Sequence, residues 1–148
     1  AETFARVGGF AASFFASYED TDWCWRARLA GMSVRYEPAG VVRHVKGVSS
    51  GGDDDPKVVF LAARNRLHML ARNAPLAVFR RQVADAWGSW TAERVPAGGP
   101  LPPRVAVATR VARGLTERAV LSRRWARSPD EVFRQWAGVG ETWDRTGW

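Results

Sequence analysis

The chain has 148 residues, one cysteine, and 22 Lys and Arg against 15 Asp and Glu, a formal net charge of +7. That length allows one modest core. Lone Cys24 excludes an internal disulfide and a cysteine-only zinc site and fits a reducing compartment, while no run of about 18 apolar residues reads as a bilayer span. The basic excess is nearly all arginine and favours acidic partners, whether nucleic acid, anionic lipid or phosphorylated substrates. The chain opens at Ala1 rather than Met and shows no signal-peptide pattern, as expected of a processed or excised product.

In chain order, Phe4 to Phe15 reads as a glycine-containing loop followed by a short apolar piece, with Gly8 and Gly9 permitting close backbone approach or a positive φ. Acidic residues at Glu19, Asp20 and Asp22 and a glycine at Gly31 match helix start and stop signals, so a helix is expected over Asp20 to Ala30. Ser33 to Glu37 and Gly40 to Val45 are β-branched and aromatic enough to predict two short strands broken at Pro38-Ala39-Gly40. A polar Gly-Ser-Asp loop follows. From Pro56 a long helix is expected, since Phe60, Ala63, Leu67, Leu70, Ala71 and Ala74 recur on one face and Pro75 ends it. Further helices are expected over Leu76 to Trp90, Arg104 to Arg127 and Pro129 to Ala137, with a Pro-Gly breaker at residues 95 to 103.

Chemistry concentrates at Glu19-Asp20-Thr21-Asp22. Acidic groups at a helix start are favoured by the unpaired N–H groups there, and Asp22 can pair with Arg26 one turn on. Those residues can be a capped helix with a surface ion pair, or a rigidly held carboxylate beside a cleft that acts as a general base. His44 and His68 are single histidines; His68, inside the long helix, reads as structural. Cys24 has no neighbouring His or Lys to mark it as a nucleophile. Trp23 and Trp25 can pack beneath the site or stack on a sugar ring, and packing is the expected role.

The order Val7-Gly8-Gly9-Phe10, Phe14-Phe15, Glu19-Asp20-Thr21-Asp22, Arg26, Arg28, Gly31, Val34, Tyr36, Pro38, His44, Ser49-Ser50, Arg64-Asn65 resembles the second half of the catalytic domain of family-2 inverting glycosyltransferases, the rhamnosyl- and galactofuranosyltransferase-like branch. The resemblance spans residues 3 to 75, about half of the chain. It implies a mixed α/β fold, the C-terminal portion of a GT-A-type domain over residues 1–75; residues 76–148 match no family pattern and read from their apolar spacing as a basic helical extension. The resemblance implies that Asp20 is the base that takes the acceptor hydroxyl proton, with Glu19, Asp22 and Arg26 in support. Gly8 and Gly9 would lie against donor and acceptor, and His44 would help to hold a Mg²⁺ or Mn²⁺ ion. Arg64 and Asn65 match the pattern without an assigned role. Ala11-Ala12 depart from it, standing where the family places acidic or polar residues, which puts an acceptor contact there in doubt.

The chemistry implied is a single inverting displacement. A carboxylate activates the acceptor hydroxyl, and a Lewis-acidic ion steadies the diphosphate leaving group. The donor would be a nucleotide-diphosphate sugar, the acceptor a bacterial cell-surface glycan or lipid-linked sugar. The family's nucleotide-binding half, with its Asp-x-Asp pair, is not in this sequence; Asp53-Asp54-Asp55 reads as a solvated loop. The chain alone is therefore expected to bind donor poorly and to turn over nothing. The arginine-rich helices beyond residue 75 can pack on the catalytic domain or lie on an anionic membrane, the latter suiting a cytoplasmic enzyme peripheral at the inner face of the cell membrane. No nucleic-acid module accompanies them, so nucleic acid is not an expected partner. The rival reading is a non-catalytic basic adaptor, in which the acidic helix start is only a cap and the arginines bind anionic lipid or a protein.

Overall fold

Local signals set the ends of the helices in a computed structural model that describes residues 2–43, 55–92 and 103–136. Helix α1 is Glu2–Val7, α2 Glu19–Leu29, α3 Pro56–Asn73, α4 Leu76–Ala92, α5 Pro103–Leu121 and α6 Pro129–Trp136, with a 3₁₀ turn at Ser122–Arg124. Helix α3 starts where Asp55 accepts a hydrogen bond from the Lys57 amide (2.8 Å) and Pro56 takes the first turn, where its missing N–H costs nothing. Helix α2 ends in a Schellman arrangement: Gly31, at φ +81°, donates to the Arg28 carbonyl and Met32 to that of Ala27. Ser128 caps α6 by accepting from the Glu131 amide.

Helix α3 lies at the centre and packs against α2, α4 and α5, while α2 also meets α1 and α6. The core gathers Phe14, Leu29, Leu67, Leu70, Val107 and Val132. The domain boundary expected at residue 75 falls between α3 and α4, and helices on both sides of it share this core. Gly114 lets α5 cross α3 closely, since a Cβ there would come within 2.9 Å of the Ala71 Cβ. From α5, Arg118 reaches back to the Ala74 carbonyl at the end of α3 (2.7 Å) and lays its guanidinium over the Trp125 ring.

The mixed α/β expectation is wrong: the described residues are helical and contain no strand or sheet. Ser33 to Glu37 and residues 40–43 have strand-like composition, but a strand exists only where a neighbour completes its ladder, and no described residue does so; Val45, the end of the second expected strand, lies outside the described residues. Tyr36, Val41 and Val42 are accordingly exposed. Only the turn between the runs forms, with the Gly40 amide donating to the Glu37 carbonyl (3.1 Å). Two smaller expectations also change. A helix, α1, occupies part of the segment read as a loop. The helix expected over Arg104 to Arg127 stops at Leu121, after which the amides of Ala126 and Arg127 donate to the Leu29 carbonyl.

Candidate functional site

Asp22 is the hub of the acidic motif, and it is fully buried. Its Oδ2 accepts from Arg26 Nε (2.8 Å) and Arg72 Nη2 (3.3 Å), and its Oδ1 accepts from Arg72 Nε (2.7 Å) and Asn73 Nδ2 (2.8 Å). Two cations and an amide around one carboxylate are what a buried charge requires. The pair expected on the surface is thus an interior anchor, and it ties α2 to the end of α3.

Arg26 carries this anchor outward to the glycine loop. Its Nη1 donates to the carbonyls of Val7 (2.9 Å) and Gly8 (3.3 Å), and its Nη2 to that of Gly9 (2.8 Å). Trp23 Nε1 adds a bond to the Gly8 carbonyl (2.8 Å). One arginine therefore neutralises the last carbonyl of α1 and holds the loop that follows against the middle and last turns of α2. Gly8 sits at φ +86°, a conformation that favours glycine. Trp23 pins this loop and stacks on Phe4, whereas Trp25 is buried against Phe133.

A second anchor holds the loop that leads into the acidic residues. Phe15, Ser17 and Tyr18 all have positive φ (63°, 68° and 72°), an unfavourable conformation for side chains of this size. Asn65 offsets that strain: buried in α3, it directs Nδ2 at the carbonyls of Phe14 (2.8 Å), Ala16 (2.7 Å) and Ser17 (3.2 Å). Arg64 donates to Asn65 Oδ1 through Nε and Nη2, which fixes the orientation of the amide. The Arg-Asn pair so acquires a role, as the support of the chain path into Glu19.

Asp20 emerges from this framework into solvent. Its Oδ1 accepts from the Thr21 amide (2.6 Å) and hydroxyl (3.2 Å), while its other oxygen has no donor among the described residues. Glu19 is half-buried, and its Oε2 has no hydrogen-bond partner among the described residues. Burial pushes the Cys24 thiol up against the opposing charge of Arg28, with Asp20 adding to the rise, so it stays protonated. His44, the expected metal ligand, lies outside the described residues, as do Asp53 and Asp54. Among the described residues no three His, Cys, Asp or Glu side chains converge as a metal site.

Sequence reading missed the polar chain behind the hub. Arg72 also pairs with Glu117 of α5, which accepts from Arg113 (2.7 Å) as well. His68 sits beside this group, fully buried. Its Nδ1 lies 2.9 Å from the Arg110 carbonyl and its Nε2 3.1 Å from Ser13 Oγ. A carbonyl can only accept, so Nδ1 carries the hydrogen and Nε2 receives the serine hydroxyl. Burial holds the His68 pKa down to about 4, despite the opposing pull of the Arg110 carbonyl and Glu117. Burial alone would raise Glu117, but the Arg113 hydrogen bond and the charge of Arg72 outweigh it and leave its carboxyl below the usual range.

This arrangement makes stability depend on pH in two windows. Below an ordinary histidine pKa of 6.5 the unfolded chain binds a proton that folded His68 refuses, so stability falls from about pH 6.5 down to about 4. The Glu117 contribution is lost below its ordinary value of 4.5. In thermal melts from pH 7 down to about pH 2, His68→Gln is expected to flatten the first fall and leave the second. An unchanged pH profile would mean that His68 is not held neutral.

Among the described residues the fold and site define a helical scaffold that leads one anchored loop into an acidic helix start and holds the Gly8-Gly9 loop against the later turns of that helix. Comparison of the chain with protein-family models, with curated proteins and with solved structures gave no match.

Proposed function

We propose that residues 2–75 form the acceptor side of an inverting sugar transferase, with Asp20 as the general base. The observation that carries this reading is the exposed Asp20 carboxylate at the start of α2, at the end of a loop that Asn65 holds from α3. A base must keep its oxygen in line with the acceptor hydroxyl to within a few tenths of an ångström, and such a framework suits that need. Its second oxygen is free to take a proton from that hydroxyl. Gly8 faces the Arg26 and Arg124 guanidiniums and Gly9 the Phe4 ring, so a sugar contact at this loop rests on the sequence resemblance alone. Arg26, Asp22, Asn65 and Arg64 are positioning residues in this reading. Glu19 adds a second carboxylate at the same helix start.

The donor in this proposal is a nucleotide-diphosphate sugar, held by a nucleotide-binding half that the sequence resemblance implies. The acceptor is a glycan or lipid-linked sugar. A Mg²⁺ or Mn²⁺ ion would stabilise the leaving diphosphate. The described residues supply no donor set for it, and His44 is the one residue of this chain assigned to it. Among the described residues no helix is long and apolar enough to cross a membrane, so any membrane contact of these helices is peripheral.

The test is sugar transfer by the protein that contains this chain together with that nucleotide-binding half. Asp20→Asn is expected to lower kcat by about 10²–10⁴-fold, the usual contribution of a general base, with donor affinity and melting temperature unchanged. Near-normal turnover would remove Asp20 from the role.

A further inference from the structure

Helix α5 has a solvent face without charge. At about 100° per residue, the arc from Leu115 through Val105 to Val120 covers about 140° of the helix. It is occupied by Val105, Ala108, Ala112, Leu115, Ala119 and Val120, all exposed. The arc also contains Thr109 and Thr116, but both turn their hydroxyls onto the helix itself. Thr109 Oγ1 donates to the Val105 and Ala106 carbonyls (2.9 and 3.0 Å), and Thr116 Oγ1 to that of Ala112 (3.1 Å). The opposite face, with Val107 and Gly114, is spent on α3. A surface helix ordinarily turns its polar side to water, and this one is apolar on both sides.

The charges stand at the margins of that face. Arg104 flanks one edge and Arg113 the other, with Arg123 just past the C-terminal end, all exposed; Arg124 turns its guanidinium to the Gly8 loop. Glu117, the one carboxylate of α5, points inward to Arg72 and Arg113. Arg104, Arg123 and Arg124 have no carboxylate partner among the described residues. Two copies of the chain meeting through this face about a two-fold axis would bring like-charged rims together without an acid to offset them. A flat polyanionic surface with an apolar interior fits both features: the arginines meet its anionic groups and the stripe sinks between them.

We propose that the outer face of α5 is a membrane-contact surface that lies on anionic lipid, with Val105, Ala112, Leu115 and Val120 inserted and Arg104, Arg113 and Arg123 at the headgroups. The helix is then parallel to the bilayer, over about 28 Å for its 19 residues. This surface involves none of the acidic-motif residues, and it stands or falls separately from the role given to Asp20.

The test is sedimentation of the full 148-residue chain with vesicles of phosphatidylcholine alone or mixed with phosphatidylglycerol. Each cation at an anionic surface raises partitioning about fivefold, so the mixed vesicles should bind at least about tenfold better, and high salt should reverse this. Ala112→Glu/Val120→Glu should lower binding to the mixed vesicles by about tenfold or more, since charges enter the stripe itself. Ala77→Glu/Ala84→Glu on exposed positions of α4 makes the same change in net charge and should lose far less. Melting curves of both variants should match the parent, because all four positions are exposed. Equal losses in the two variants would overturn the proposal in favour of diffuse charge attraction. Absence of binding to mixed vesicles would also overturn it, as would a dimer in sedimentation equilibrium that Ala112→Glu/Val120→Glu abolishes.

Discussion

Asp22→Ala is expected to destabilise the chain by about 3–5 kcal/mol, the cost of breaking a buried ion pair by removing one partner. The carboxylate is fully buried and faces Arg26 and Arg72, both nearly buried themselves. Its loss leaves two guanidiniums without their shared anion, and the Asn73 amide loses its Oδ1 acceptor. For a chain of this size that loss corresponds to a fall in melting temperature of roughly 6–20 °C, which circular dichroism would measure. Arg26 would also lose the partner that aims it at the Val7, Gly8 and Gly9 carbonyls. Asp20→Asn, two residues away and exposed, should leave the melting curve in place. That contrast is the informative one: if the two substitutions cost the same, Asp22 is not the interior hub.

Gly114→Val should cost about 3 kcal/mol or more, because it forces apart the main helix crossing of the fold. A Cβ at this position meets the Ala71 Cβ at 2.9 Å and both Nδ1 and the carbonyl oxygen of His68 at 3.0 Å. Gly114→Ala sets two effects against each other. Helix propensity favours alanine by about 1 kcal/mol. The overlap opposes it, and since its neighbours are a backbone oxygen and an alanine methyl, neither can rotate away; the net effect is a loss. Urea denaturation would read both variants. Ala71→Gly should recover part of the loss in the Gly114→Ala background, since it removes the nearest contact. A Gly114→Ala variant as stable as the parent would show that the overlap costs no more than the propensity gain of about 1 kcal/mol.

The local grammar of the helices was legible in the sequence. Pro56 opens α3, Gly31 ends α2, Pro75 separates α3 from α4 and Pro129 opens α6, because each of these residues acts through its own backbone or that of close neighbours; Asp55, read as part of a solvated loop, is instead the cap of α3. The apolar face of α3, including Leu67, Leu70 and Ala74, was equally plain from its spacing and is buried. The strand expectation failed for the opposite reason. Val34, Tyr36, Val41 and Val42 have the composition of strands, but pairing depends on a neighbouring strand that composition does not supply.

Within the candidate site, sequence by itself determined which residues could meet across one helical turn, as Asp22 and Arg26 do, and where an acidic helix start would stand. Only the tertiary structure decided that this pair is interior. Burial comes from Arg72 and Asn73, some fifty positions on, arriving from α3. The same holds for Asn65, whose amide reaches three carbonyls of a loop far away in sequence, and for His68, kept neutral between Ser13 and Arg110. Turns, caps and periodicity are short-range and recur with the backbone. Which polar groups share a low-dielectric interior depends on how helices cross, and one glycine at the crossing of α3 and α5 decides much of that.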